Sequence, residues 1–172
     1  MTLIVATPTE MAADSFVGNE EVKYRLNQKI FTRGKLAVGV AGSIKALRAI
    51  KYIMSGEDYG VDIDWATPDK LANYFAVTIK DAEYQVLIAD GETLWESNEA
   101  GDTFEIKHFD TPDIFGAIGQ GYQYALGYMY SDSRNRPLGA LYAGVAFCPL
   151  VSLPATVTVF DSRTSLWTPS LP

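Results

Sequence analysis

The sequence predicts an α+β chain in which antiparallel sheets carry helices on their outer faces. Three observations point there. The β-prone runs come as neighbours joined by short turns, the helix-period segments come two at a time, and the order along the chain is strands, two helices, strands, two helices, strand.

Residues 2–6 (TLIVA) are β-prone, Thr7-Pro8 punctuates, and Met11 to Ala13 resume an apolar run that ends at Asp14, which makes a tight hairpin. The chain turns polar and acidic between Phe16 and Tyr24. Lys29-Ile30-Phe31, a turn at Arg33-Gly34, and Leu36 to Ala41 then give a second strand pair. The run LAVGVAG is apolar on both faces, as a buried strand is. Ser43 takes an N-cap position and Ile44, Leu47, Ile50 and Met54 recur at helical spacing, so a helix runs over about 44–55 and ends at Gly56. Residues 60–65 read as a loop. Thr67-Pro68-Asp69 opens a second helix over about 68–80, with Leu71 and Phe75 on one face. YQVLIADGETLWES is two β-prone runs joined at Asp90-Gly91, a dipeptide suited to a two-residue turn. Ile114–Ile118 is a short strand leading into Gly119-Gln120-Gly121, and a third helix follows through Tyr122, Ala125, Leu126 and Met129. A fourth helix spans Leu138–Phe147 and stops near Pro149; Ala155–Phe160 is the closing strand.

The 172 residues fit one domain, with residues 160–172 left as a tail whose apolar composition suits a docked end, as in a groove on a partner, better than a free one. Apolar residues at 48% and charged residues at 20% describe a globular chain and exclude disorder throughout. Twenty-one acidic against 14 basic residues, a net charge of −7, oppose binding to a nucleic-acid backbone. One cysteine, Cys148, excludes an intrachain disulfide and a thiolate zinc cage, and fits a reducing, cytoplasmic setting. No signal peptide and no membrane span is expected, because the start lacks basic residues and no apolar run reaches about 18 residues.

Several chemistries lack their residues. Gly119-x-Gly121 is followed by Tyr124 where a dinucleotide fingerprint needs a third glycine, and no Gly-Lys-Ser/Thr phosphate loop is present. No metal ligand set is visible and no cofactor is expected. His108, the one histidine, reads as solvent-exposed in a loop, and Cys148, in VAFCPLV, reads as a buried inert thiol. The start of the chain offers more. Removal of Met1 leaves Thr2 with a free α-amine, whose pKa near 8 lets it take the proton of the hydroxyl on the same residue. Such a nucleophile needs a cation beside the hydroxyl, an anion to hold that cation and a backbone donor for the oxyanion; Lys29, Asp14 and the amide of Gly42 are available. A second reading stands beside this one: Thr2 as the first residue of a strand, Asp14 and Lys29 as a core ion pair, and Gly42 and Gly119 as glycines required only by turn geometry.

Six segments in collinear order over about residues 2–130 resemble the proteasome β-subunit family, most closely its simpler HslV-type branch. Thr2, Ile4, Val5 and Ala6 match the opening Thr-x-Ile-Val-Ala strand, and Ala12, Ala13, Asp14 and Ser15 match Ala-Ala-Asp-Ser at the end of the second. Lys29 before Ile30 looks like the family's catalytic lysine, and Gly42 in Val-Ala-Gly-Ser looks like its oxyanion glycine. Gly119, Gly121, Ala125 and Leu126 resemble Gly-Ser-Gly-Gly-x-x-Ala-Leu, with Gln120 in the place of the serine that helps hold the terminal amine. The family's acidic residue after the fourth helix has no counterpart, and the first hairpin is shorter than usual.

The resemblance implies a four-layer αββα sandwich of the N-terminal nucleophile (Ntn) hydrolase type. It further implies a threonine-type endopeptidase acting on peptides or unfolded proteins inside a homo-oligomeric ring, fed by a separate ATP-driven unfoldase. Carried over by residue, Thr2 is nucleophile and base, Lys29 lowers the hydroxyl pKa, Asp14 orients Lys29, Gly42 N–H holds the oxyanion, and Gly119 and Gln120 support the amine. The pocket beside Thr2 would draw on residues near 18–33 and 43–51. The alternative is a proteasome-like oligomeric structural or interaction protein without catalysis.

Overall fold

The computed structural model describes residues 2–14, 16–18, 23–25, 28–58, 60–131, 134, 136–148, 151 and 153–170, without the side chains of 16–18, 23–25 and 65. Met1, whose removal the sequence reading requires, Ser15 of the Ala-Ala-Asp-Ser match, and Pro149 beyond the fourth helix lie outside the described residues.

β1 (Leu3–Ala6) and β2 (Glu10–Asp14) form the first hairpin, and the Thr7 hydroxyl at its turn accepts the N–H of Glu10 at 3.0 Å. β3 (Phe16–Gly18) and β4 (Lys23–Arg25) pair as a separate ribbon. β5 (Ile30–Arg33) and β6 (Leu36–Gly42) follow, then α1 (Ile44–Ser55), capped by the Ser43 hydroxyl accepting from Ala46 N–H. After α2 (Pro68–Thr78) come β7 (Tyr84–Ala89), β8 (Leu94–Asn98), β9 (Thr103–Glu105) and β10 (Gly116–Gly119). α3 (Tyr122–Ser131), α4 (Pro137–Phe147), β11 (Ala155–Asp161) and β12 (Leu166–Ser170) complete the order.

The strands build two five-stranded antiparallel sheets, β10-β1-β2-β11-β12 and β5-β6-β7-β8-β9. α1 and α2 cover the outer face of the second sheet, α3 and α4 that of the first, and the inner faces pack on each other, giving four layers αββα. Strand alternation explains why these strands are apolar throughout. In β6, Leu36, Val38 and Val40 face α1 and α2 while Ala37 and Ala41 face the opposite sheet; in β1, Leu3 and Val5 face α3 and α4 while Ile4 and Ala6 face inward. The inner layer is rich in alanine (Ala6, Ala13, Ala37, Ala41, Ala89), which keeps the space between the sheets narrow.

Several expectations need correction. The Asp90-Gly91 connection is four residues, Asp90–Thr93, because Ala89 pairs with Leu94. Asp90 Oδ1 accepts the N–H groups of Glu92 and Thr93, while Gly91 N–H donates to Pro8 O of the first hairpin, so a contact distant in sequence shapes the turn. Residues 60–65 contain a 3₁₀ turn at Ile63–Trp65. The Thr67 position caps α2 in backbone geometry, but its side chain makes no capping hydrogen bond. His108 is half-buried and structural: its ring stacks on Phe115 at 4.3 Å, one nitrogen bonds Phe115 O at 2.9 Å and the other the Tyr130 hydroxyl at 3.0 Å. The tail, expected to dock, adds β12 to the edge of its own sheet. Cys148 is buried, as expected.

Candidate active site

Asp14 ends β2, and the register that pairs Ile4 with Ala13 brings it beside the start of β1. There Asp14 Oδ1 accepts the Leu3 N–H at 2.8 Å. Lys29 precedes β5 on the other sheet, where its carbonyl takes the Val40 N–H at 2.9 Å and keeps it in line with β6. Its side chain crosses the space between the sheets, and Nζ reaches the same Asp14 Oδ1 at 2.8 Å. Both residues are 1% exposed. Burial pulls the Lys29 ammonium below its ordinary value, opposed by the Asp14 carboxylate in contact with it. One carboxylate oxygen thus holds the ammonium and the amide that joins Thr2 to Leu3.

Thr2, directly before β1, is buried, and its carbonyl accepts the Gln120 N–H at 2.8 Å. Gly119 sits opposite Leu3 with φ +89°, and a Cβ there would strike the Thr2 carbonyl. Only glycine lets β10 approach the start of β1 this closely. The Gly119 N–H donates to Gln85 Oε1 at 3.3 Å.

Gly42 ends β6 with φ +142°, and a Cβ on it would meet Glu83 O. The next residue, Ser43, donates its N–H to Glu83 O at 2.9 Å and caps α1, so Gly42 stands at the positive end of a 12-residue helix. That field favours negative charge.

Thr2, Gly42, Gly119 and Gln120 line one cavity of about 450 Å³ with Ala41, Glu83, Tyr84, Gln85, Asn98 and Glu99. Asp14 and Lys29 stand behind Thr2 through the Leu3 amide. The six residues singled out in the sequence therefore gather at one end of the space between the sheets. The described wall of the cavity comes from Thr2, 41–42, 83–85, 98–99 and 119–120 and from none of 28–33 or 43–51; the rest of the expected stretch, the side chains of 18 and 23–25 and all of 19–22 and 26–27, lies outside the described residues. Sequence reasoning missed Glu83, Gln85, Asn98 and Glu99. The signal lay in strand register, which sets Gln85 opposite Asn98 at the end of the β7–β8 hairpin nearest Gly42.

Chemically, the arrangement offers a hydroxyl at a cavity wall, a buried ammonium–carboxylate pair one hydrogen bond from its backbone, and a helix N-terminus facing the same space. Among the described residues no group of three or more His, Cys, Asp or Glu side chains is placed to hold a metal ion. No helix is long and apolar enough to cross a membrane among the described residues.

No protein-family model matches the chain, and no curated protein matches it in sequence. Solved structures do. Anbu from Hyphomicrobium sp. strain MC1, as its Gly-1 mutant, superposes with a TM-score of 0.72 at 15% identity, over 98% of this chain and 86% of that one. Anbu, an ancestral beta-subunit, from Yersinia bercovieri gives 0.69 at 15% identity, over 98% and 85%. BPH from Thiobacillus denitrificans, in complex with epoxomicin, gives 0.65 at 22% identity, over 93% and 97%. At these identities the likeness speaks to architecture. Together with the two antiparallel sheets between two helix pairs, it shows that the chain has the four-layer αββα fold of proteasome-like Ntn-hydrolase subunits.

Proposed function

We propose that the chain is a proteasome-like threonine peptidase subunit, of the HslV-like kind, that becomes active when Thr2 is exposed as the amino-terminal residue. The freed amine takes the Thr2 hydroxyl proton as the oxygen attacks a peptide carbonyl. The tetrahedral oxyanion accepts the Gly42 N–H beside the α1 N-terminus. The proton then passes to the leaving amine, and water hydrolyses the ester on Thr2 by the same route in reverse. Lys29, held by Asp14, favours loss of the hydroxyl proton; Gly119 and Gln120 fix the Thr2 backbone.

One observation carries this reading: Asp14 Oδ1 holds Lys29 Nζ and the Leu3 N–H at 2.8 Å each, directly behind a threonine that lines a cavity. The complex of BPH with epoxomicin supports ligand binding on this fold, in that protein. We assign the chain to a homo-oligomer. In support, Tyr122, Tyr124, Tyr142 and Phe147 are exposed on α3 and α4, which have no charged side chain. Unfolded protein delivered by a separate ATP-driven unfoldase is the proposed supply of substrate.

The test joins mass spectrometry of the purified protein with cleavage of short fluorogenic peptides. Loss of the residue before Thr2, turnover by that species and no turnover by Thr2→Ala are expected. A chain with Thr2 at its terminus that turns over no peptide would leave the second reading, a non-catalytic oligomeric scaffold. The complete burial of Lys29 between the sheets favours that alternative, since a sheet-joining ion pair accounts for it without chemistry.

A further inference from the structure

The cavity at Thr2 has a charge of its own. Of the ten described residues that line it, Glu83 and Glu99 carry carboxylates and none is lysine or arginine. Both glutamates are exposed. Glu99 is held at both ends of the residue: its N–H donates to Tyr84 O at 3.3 Å, and its Oε2 accepts the Tyr84 N–H at 3.4 Å. Glu83 is fixed through its backbone, whose carbonyl takes the Ser43 N–H next to Gly42.

The other described polar groups do not reverse this charge: in the adjoining recess, which Glu83 and Glu99 also line, the one cation, Lys80, stands with a further anion, Asp81. Gln85 presents its oxygen to the Gly119 N–H, and Asn98 turns its amide nitrogen onto Asp102 Oδ2. Lys45, on the first turn of α1, points its ammonium at the carbonyls of Lys80 and Asp81. The Lys29 ammonium is matched by Asp14 behind the wall. Two acidic residues in the described wall of a recess, in a chain of net charge −7, bias the potential there toward negative.

We infer that the cavity selects peptides carrying a cationic side chain, lysine or arginine, next to the bond presented to Thr2, with Glu83 and Glu99 as the specificity-determining residues. The choice of a peptide as ligand rests on the peptidase reading; the charge preference rests on the cavity wall. Selection acts in binding: the wall strengthens ground-state affinity for the cationic residue and repels an acidic one.

The test separates the two ideas. The full chain carrying Thr2→Ala, which cannot consume peptide, is titrated into fluorescein-labelled acetylated peptides that differ only in one arginine or one glutamate, read by fluorescence anisotropy. The arginine peptide is expected to bind about tenfold tighter at low ionic strength, with the gap narrowing at about 0.3 M salt. In Glu83→Gln/Glu99→Gln the gap should close to about twofold or less. Equal affinities, or a gap that survives in the double variant, overturn the inference whether or not the protein cleaves peptides. A third peptide, unacetylated and without arginine, distinguishes a terminal ammonium from a side chain; its binding in preference to the acetylated arginine peptide also overturns the assignment. Turnover by the processed wild-type chain is scored separately, and its absence counts against the peptidase reading alone.

Discussion

Lys29 and Asp14 meet at 2.8 Å across the space between the two sheets, each almost wholly buried. Asp14 ends β2, the partner in the first hairpin of the strand that follows Thr2, and Lys29 directly precedes β5, which leads through β6 to Gly42. The contact therefore fixes the relative position of the segment that carries the hydroxyl and the segment that carries the backbone donor. A hydrophobic pair would hold the sheets together as well, but would place no ammonium beside the Thr2–Leu3 peptide.

Removing one partner should be worse than removing both. Asp14→Ala leaves an uncompensated buried ammonium, and Lys29→Ala leaves a buried carboxylate, so each should cost about 3–5 kcal/mol in urea unfolding. Asp14→Leu with Lys29→Met, which fills the space with apolar groups, should be more stable than either single variant and still cleave no peptide. Additive losses in this cycle would show that the two residues do not act as a pair.

Tyr84 offers a case in the opposite direction. Its hydroxyl is buried and has no hydrogen-bond partner among the described residues, and burial with the nearby Glu99 charge pushes its ionisation above the ordinary range. Tyr84→Phe removes an unsatisfied polar atom and keeps the ring in the cluster formed with α1 and α2. Stability should stay level or rise by about 1 kcal/mol in thermal unfolding. A loss of that size would mean that the hydroxyl has a partner in the assembled protein.

These features differ in how far they could be read from the chain. The hairpin at Thr7, β6 and α1 were legible because local chemistry announces them: a two-faced apolar run, Ser43 before Ile44, Gly56 after Ser55. The grouping of Thr2, Asp14 and Lys29 was legible only through resemblance, since strand register and the packing of one sheet on another have no local signature. β12 was missed because, of Leu166-Trp167-Thr168-Pro169-Ser170, only Trp167 is buried and Pro169 argues against a strand except at an edge. Glu83 and Glu99 look like ordinary surface glutamates until the β7–β8 register brings them to the same cavity as Gly42. His108 was misread because its partners Phe115 and Tyr130 lie on other elements.

A pH-dependent stability follows from Glu96, whose carboxyl burial pushes above its ordinary value of 4.5. A folded value above the unfolded one means that the fold prefers the protonated form. Its contribution is present in full below the unfolded value and is lost as pH rises through the folded one. Glu96→Gln does not titrate, so it should match wild type near pH 4 and exceed it at pH 7 by about 0.5 kcal/mol. A variant less stable than wild type at neutral pH would reveal a cation that pairs with Glu96.

The edge strand should be seated by one side chain. Trp167 is buried, its ring lies 5.6 Å from that of Phe160, and its indole N–H donates to Lys35 O on the opposite sheet at 2.8 Å. Leu166 beside it is 47% exposed. Trp167→Phe loses the hydrogen bond and part of the contact and should cost about 1 kcal/mol, while Trp167→Ala opens a cavity between the sheets and should cost about 3–5 kcal/mol. Leu166→Ala should change stability by no more than about 0.5 kcal/mol. Measured by urea unfolding, the ranking matters more than the sizes: a Trp167→Ala variant as stable as Leu166→Ala would show that β12 hangs on its backbone ladder to β11 alone. The indole would then not tie the tail to the β5–β6 turn.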